Sequence, residues 1–271
     1  MPEISVVLTF FNESTEILKR GIDSILNQTF KDIEFIIYPG NPDNKAGIEL
    51  VTLYSKDHPL IKLLLPSKKE SATFCINEGI RKAGGKYVAM QEADDESLPE
   101  RLEKQYMAME NNPAIDVTGT GIQYIDEYTK EILVKRIYPG KVNREFNRYQ
   151  AIAQPTAMMK RELFEKYGYY DDSLSNKMAP DYDFWLRWHI QDVRFHNLQE
   201  VLFNYYQSKD NGRNKFPKKA LLSTIKVKLK YRSKLHFGFM DYVYLSAEIA
   251  LLCLPKQLIG RLFYIWQKIK K

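Results

Sequence analysis

Residues 84–102, GGKYVAMQEADDESLPERL, place Glu92, Asp94 and Asp95 at the end of an apolar run. Carboxylates that dense have two readings: they solvate a loop, or they offer hard oxygen ligands to a divalent cation. Other chemistries have less to draw on. His189 and His196 have no partner at metal spacing. Cys75 and Cys253 stand too far apart in sequence to suggest a disulfide framework, which fits a reducing compartment. A nucleotidyltransferase is disfavoured, because no Gly-rich loop with a basic residue follows the first apolar run.

The elements that must position these acids are legible as a rhythm. ISVVLTF (4–10), IEFIIYP (33–39), IKLLLP (61–66) and KYVAMQE (86–92) are continuous apolar runs, the mark of strands buried on both faces. Between them Leu18, Ile22, Ile25 and Leu26 recur at helical spacing behind Ser14 or Thr15 as N-cap. Further helices are expected near 45–57, over 71–83 with Gly84-Gly85 as a stop, and after Pro99. This order predicts an α/β fold with a mainly parallel sheet flanked by helices. Ligands then sit beyond the carboxyl ends of the strands, where residues 92–95 lie. From 113 to 208 the pattern loosens: a strand over 115–126, a mixed stretch over 146–171, and a helix over 181–192.

Composition suits a folded chain, with 44% apolar and 27% charged residues. The net charge of +6 is unevenly spread. Residues 209–271 carry 15 Lys/Arg against 3 Asp/Glu, a net of +12, and the rest carries −6. That divides the chain into a body, 1–208, and a basic helical region, 209–271, with different partners.

Four segments, ISVVLTFFNES…LKRGIDSILNQTFKDIEFII, NEGIRKAGGKYVAMQEADDESLPERLEKQ, QPTAMMKRELFEKYGYYD and DYDFWLRW, resemble in order and spacing the family-2 glycosyltransferases. The resemblance covers about residues 3–207 and implies a GT-A fold and inverting transfer from a nucleotide-diphosphosugar. On this resemblance Glu92-Ala93-Asp94 falls on the family's Asp-Ala-Asp motif. Asp94 is then the first ligand of Mn²⁺ or Mg²⁺, Glu92 a variant partner, and Asp95 a structural loop or capping residue. Thr9, Phe11, Asn12 and Glu13 occupy the nucleotide-binding segment after the first strand, with Phe11 stacking on a base or packing into the core. Tyr38 forms a wall of the pocket, and Lys69 and Asn77 line it. The family's DDGSTD after the second strand is YPGNPD here, so UDP is favoured only as the commonest family donor.

The resemblance also makes Asp181 the catalytic base, with Pro180 in place of the usual Glu and Asp183 as either a rival base or an ion-pairing acid. Arg187 is expected to pair with an acid. Gln154, Pro155 and Thr156 shape the acceptor side, with Trp185 packing under it. Lys209 or Arg213 would supply positive charge near the diphosphate. The acceptor implied is a glycan or lipid-linked oligosaccharide. A catalytically degenerate, glycosyltransferase-like scaffold is the alternative.

The tail adds one more expectation. Leu258, Ile259, Leu262, Phe263, Trp266 and Ile269 share a helical face, and Lys256, Arg261, Lys268, Lys270 and Lys271 lie largely elsewhere. That pattern suits a helix on an anionic membrane surface; the alternative is a helix packed on the body. With no signal-like n-region in MPEISVVLTFF, and an apolar run at 242–255 short of a span, the expected location is cytoplasmic, peripheral on the inner membrane face. No nucleic-acid recognition fold is visible.

Overall fold

The computed structural model describes residues 1–174, 179–207, 217–255 and 258–259. The first half follows the expected rhythm: β1 (Ile4–Phe10), α1 (Thr15–Leu26), β2 (Ile33–Pro39), α2 (Lys45–Asp57), β3 (Ile61–Leu63), α3 (Ala72–Arg81) and β4 (Tyr87–Glu92). All seven residues of β1 and of β2 are buried, as continuous apolar runs require. Ser14, rather than Thr15, caps α1 by accepting from the Ile17 amide. The third strand is half as long as its apolar run, and the helix after Pro99 begins at Arg101.

The second half comprises β5 (Glu96–Ser97), α4 (Arg101–Asn111), β6 (Val117–Asp126), β7 (Ile132–Arg136), α5 (Glu145–Arg148), β8 (Met158–Lys160), α6 (Glu162–Tyr167), α7 (Pro180–His189), β9 (Phe195–Gln207), α8 (Pro217–Tyr231) and α9 (Phe239–Leu251). The strands form one sheet in the order β3-β2-β1-β4-β8-β6-β9-β5, with β7 on β6. Pairing is parallel from β3 to β4, but β8 enters antiparallel to both β4 and β6. The sheet is therefore mixed, parallel mainly where crossover helices join successive strands.

Side chains alternate across the sheet. Val7, Ile36 and Val88 face one core, shared with Phe184, Trp185 and Trp188 of α7. Ile4, Val6 and Leu8 face the other, under α1, α2 and α4. Val227 and Tyr231 of α8, together with Leu235, belong to the first core.

Candidate active site

Register builds the site's floor. Thr9 pairs with Tyr38 on one side and Glu92 on the other, so the three stand in a row at the carboxyl ends of β2, β1 and β4. The loops beyond are tied together. Asn12 Oδ1 accepts from Asn41 Nδ2 at 2.6 Å, Asn44 Nδ2 donates to the Glu13 carbonyl at 3.1 Å, and Glu13 accepts the Phe11 amide at 2.5 Å. The Phe11 ring lies over Gly40, where a Cβ would fall 2.0 Å from a ring carbon. Phe11 thus packs against the Gly40 backbone and is only half-buried.

Four acids converge here. The Glu92 carboxyl is pushed up to about 8, first by burial and then by the charges of Asp94, Glu13 and Asp181. Asp94 is also raised, burial again leading, with Glu13 and Glu127 adding and Arg20 opposing. Asp95 is buried and held well above the usual carboxylate range by burial and by Asp94. Its Oδ1 accepts the Tyr206 amide at 2.9 Å. Asp95 therefore ties the acidic loop to β9; α4 has no side-chain cap.

Gln91, Arg20 and Tyr206, which the sequence did not single out, hold this loop. Gln91 donates from Nε2 to the carbonyls of Glu92 and Asp95, at 2.8 and 3.1 Å, and accepts from Ser97 Oγ at 2.6 Å. Arg20 donates to the Asp94 carbonyl, forks onto Glu127 at 2.9 Å through both terminal nitrogens, and stacks 3.6 Å over the Tyr206 ring. Arg20 lies in the quoted segment LKRGIDSIL, but its partners are 74 and 107 residues away and no local period reveals them.

Asp181 sits in the first turn of α7, immediately after Pro180. Gln150 Nε2 donates to its Oδ2 at 2.9 Å, and the Tyr182 amide donates to its Oδ1 at 2.9 Å. Asp183 is different. It is fully buried and accepts from Arg187 Nε at 3.0 Å, Lys230 Nζ at 2.7 Å and Tyr231 OH at 2.9 Å, the ion-pairing alternative.

Several expected lining residues are engaged elsewhere. Asn77 is buried, and both ends of its amide bond the Tyr170 backbone, at 2.9 and 3.0 Å. Thr156 is buried, donating to Ala153 and accepting from the Thr120 amide. Trp185 is fully buried in the aromatic core, 4.8 Å from Phe184 and 5.8 Å from Phe195. Asn77 and Thr156 are thus bonded to backbone groups, and Trp185 packs in the core. Gln154 is buried, Pro155 half-buried and Lys69 exposed. Lys209, Arg213 and the tail beyond Ile259 lie outside the described residues.

Among the described residues no group of three or more His, Cys, Asp or Glu is arranged to hold a metal ion. The donors that fit one are Asp94 and Glu92, two hard oxygen groups.

The half-parallel α/β sheet carries acids at its strand ends, and the comparisons give it a family. Residues 5–168 match the sequence model of glycosyl transferase family 2. The chain is 34% identical over 240 residues to the uncharacterized glycosyltransferase MJ1057 of Methanocaldococcus jannaschii, covering 87% of this chain and 82% of that protein. It is 34% identical over 189 residues to the O-antigen biosynthesis glycosyltransferase WbnJ of Escherichia coli, covering 68% and 72%. Among solved structures, the mannosyltransferase PcManGT from Pyrobaculum calidifontis, in complex with GDP-Man and Mn²⁺, superposes with a TM-score of 0.63 at 15% identity, over 96% of this chain and 72% of that one. S. aureus TarS superposes at 0.62 and 15% identity; the chain spans 88% of its own length and only 44% of that structure. The chain belongs to glycosyl transferase family 2 and is a glycosyltransferase with the GT-A fold.

Proposed function

We propose that the chain moves one sugar from a nucleotide-diphosphosugar to a hydroxyl of a glycan or lipid-linked acceptor, inverting the anomeric carbon. The observation that carries this reading is that Asp94 and Asp181 both bear on Glu92, whose carboxyl is raised first by burial and then by their charge together with that of Glu13: the group suited to proton transfer and the group suited to a cation act on one carboxyl. The acceptor oxygen attacks the anomeric carbon as the bond to the diphosphate breaks, and its proton passes to Asp181. Two features prepare that carboxylate. Gln150 and the Tyr182 amide, each bonded to one of its oxygens, fix its orientation. Phe11, Asn12, Glu13 and Tyr38 supply the wall for the nucleotide. Asp94 and Glu92 would hold Mn²⁺ or Mg²⁺, which neutralises the charge that gathers on the departing diphosphate.

Support for the donor class comes from the fold neighbours, one with GDP-Man and one, TarS, in complex with UDP. UDP is the donor base we favour. The setting we propose is the assembly of a surface polysaccharide on the cytoplasmic face of a membrane, supported by the name of WbnJ and by the +12 tail. Asp181→Asn is the direct test. Transfer should fall by about 10²–10⁴-fold while the nucleotide-sugar still raises the melting temperature. An unchanged transfer rate would remove Asp181 as the base.

A further inference from the structure

Helix α9 is built inside out. Its sequence, FMDYVYLSAEIAL, is apolar on most sides, yet the stripe it turns toward the protein carries both of its acids. Asp241, Leu245 and Glu248, spaced by four and three, face inward. Asp241 accepts from Arg148 Nε at 2.8 Å and from Asn147 Nδ2 at 3.1 Å. Glu248 takes the buried Lys228 ammonium on both oxygens at 2.6 Å. Leu245 packs with Leu221 and Ile225 of α8. On the outside, Phe239 is 82% exposed, and Met240, Tyr242, Val243 and Ile249 lie between 44% and 49%. A helix facing water carries its charges outward. Five large apolar side chains turned out from thirteen residues form a surface that calls for a partner.

We propose that this outer face of α9 docks on an anionic lipid surface. The inference rests on the membrane setting proposed above and assigns the contact to particular residues. Charge selects the occupant. Lys226 on α8, and Arg232 and Lys234 in the connection that leads into Phe239, are exposed, within a segment of net charge +12. Positive charge on this segment attracts anionic headgroups and, by the same sign, opposes a second copy brought against it. Length sets the mode. Thirteen residues span about 20 Å, short of the roughly 30 Å of a hydrocarbon core. No helix among the described residues is long and apolar enough to cross a membrane. The helix therefore lies in the interface plane. The inward acids act as clamps that keep the apolar face outward. Lys230 and Tyr231 bond α8 to Asp183 of α7, so the docked region is tied to the helix that carries Asp181.

The test is co-sedimentation of the full chain with vesicles of phosphatidylglycerol or of phosphatidylcholine. The unsubstituted chain should bind the anionic vesicles and leave the neutral ones. Phe239→Ser/Val243→Ser/Ile249→Ser should weaken binding at least about tenfold without altering the circular dichroism, melting temperature or nucleotide-sugar turnover. Phe263→Ser/Trp266→Ser, beyond the described residues, should retain most of it. Independently, Phe239→Trp should add an emission component that shifts to the blue on anionic vesicles alone. Undiminished binding by the α9 variant, with loss in the Phe263/Trp266 variant, overturns the assignment to α9 and leaves the membrane setting standing. No binding by the unsubstituted chain overturns both. A dimer in solution that the α9 substitutions dissolve, without vesicle binding, identifies a second copy as the occupant and overturns the proposal.

Discussion

Burial first, and then the charges of Asp94, Glu13 and Asp181, push the Glu92 carboxyl up to about 8, against an ordinary 4.5. A raised acid binds its proton more tightly in the folded than in the unfolded chain. Its stabilising contribution is complete below about pH 4.5 and is lost as pH rises through about 8. The metal-free protein should therefore lose melting temperature across that window, and Glu92→Gln should flatten the slope. Mn²⁺ should act in the opposite sense. An ion held by Asp94 and Glu92 competes with the proton, so the melting-temperature gain should be larger near about pH 9 than near about pH 6. Differential scanning fluorimetry over pH, with and without Mn²⁺, reads both effects. A gain independent of pH would show that Glu92 does not touch the ion.

The acidic loop depends on how closely α1 approaches it. A Cβ at Gly21 would fall 2.6 Å from the Ala93 carbonyl oxygen, a backbone atom that cannot swing aside. Gly21→Ala should cost about 1–3 kcal/mol in chemical denaturation, the usual range for overpacking, and should weaken donor binding as the loop shifts. Normal stability and normal donor affinity together would show that the loop yields without cost. The sequence showed Gly21 only as one letter of a resembling segment, which illustrates where reading it succeeds. β1, β2, α2 and β4 lie almost where their apolar periods place them, because each period is a local signal. Beyond Pro113 the strands pair across long separations: β8 inserts between β4 and β6, and β5 joins β9. No run of residues encodes those neighbours. The same division holds within the site. Glu92, Asp94 and Asp181 stand in recognisable motifs, whereas Gln91, Arg20 and Tyr206 gain their roles only through contacts that folding creates. Asn77 and Thr156 stand in equally recognisable segments, yet both are buried and bonded to backbone groups.

At the scale of the whole molecule, the basic region and the body share buried contacts. Val227 and Tyr231, with Leu235, fill the core beneath α7, and Lys230 meets Asp183. Deeper still, Lys228 is buried with Glu248 and donates to the Arg148 carbonyl, which joins α8, α9 and α5. The ammonium's own pKa is lowered by burial, with Glu248 acting against that shift. A buried charge left alone is costly, whereas a buried pair replaced whole by apolar groups is close to neutral. Lys228→Met should therefore destabilise the protein by about 3–5 kcal/mol, and Lys228→Met/Glu248→Met should recover most of that loss. The form of the transition carries the larger point. If residues as far as Leu251 fold as one unit with the body, near-ultraviolet dichroism of the aromatic core around Trp185 and the emission of a Tyr244→Trp chain should melt together. In Lys228→Met the two should move down together. Separate transitions, with only the α9 probe shifted, would make the basic region an independent appendage, as the charge boundary near residue 208 suggested.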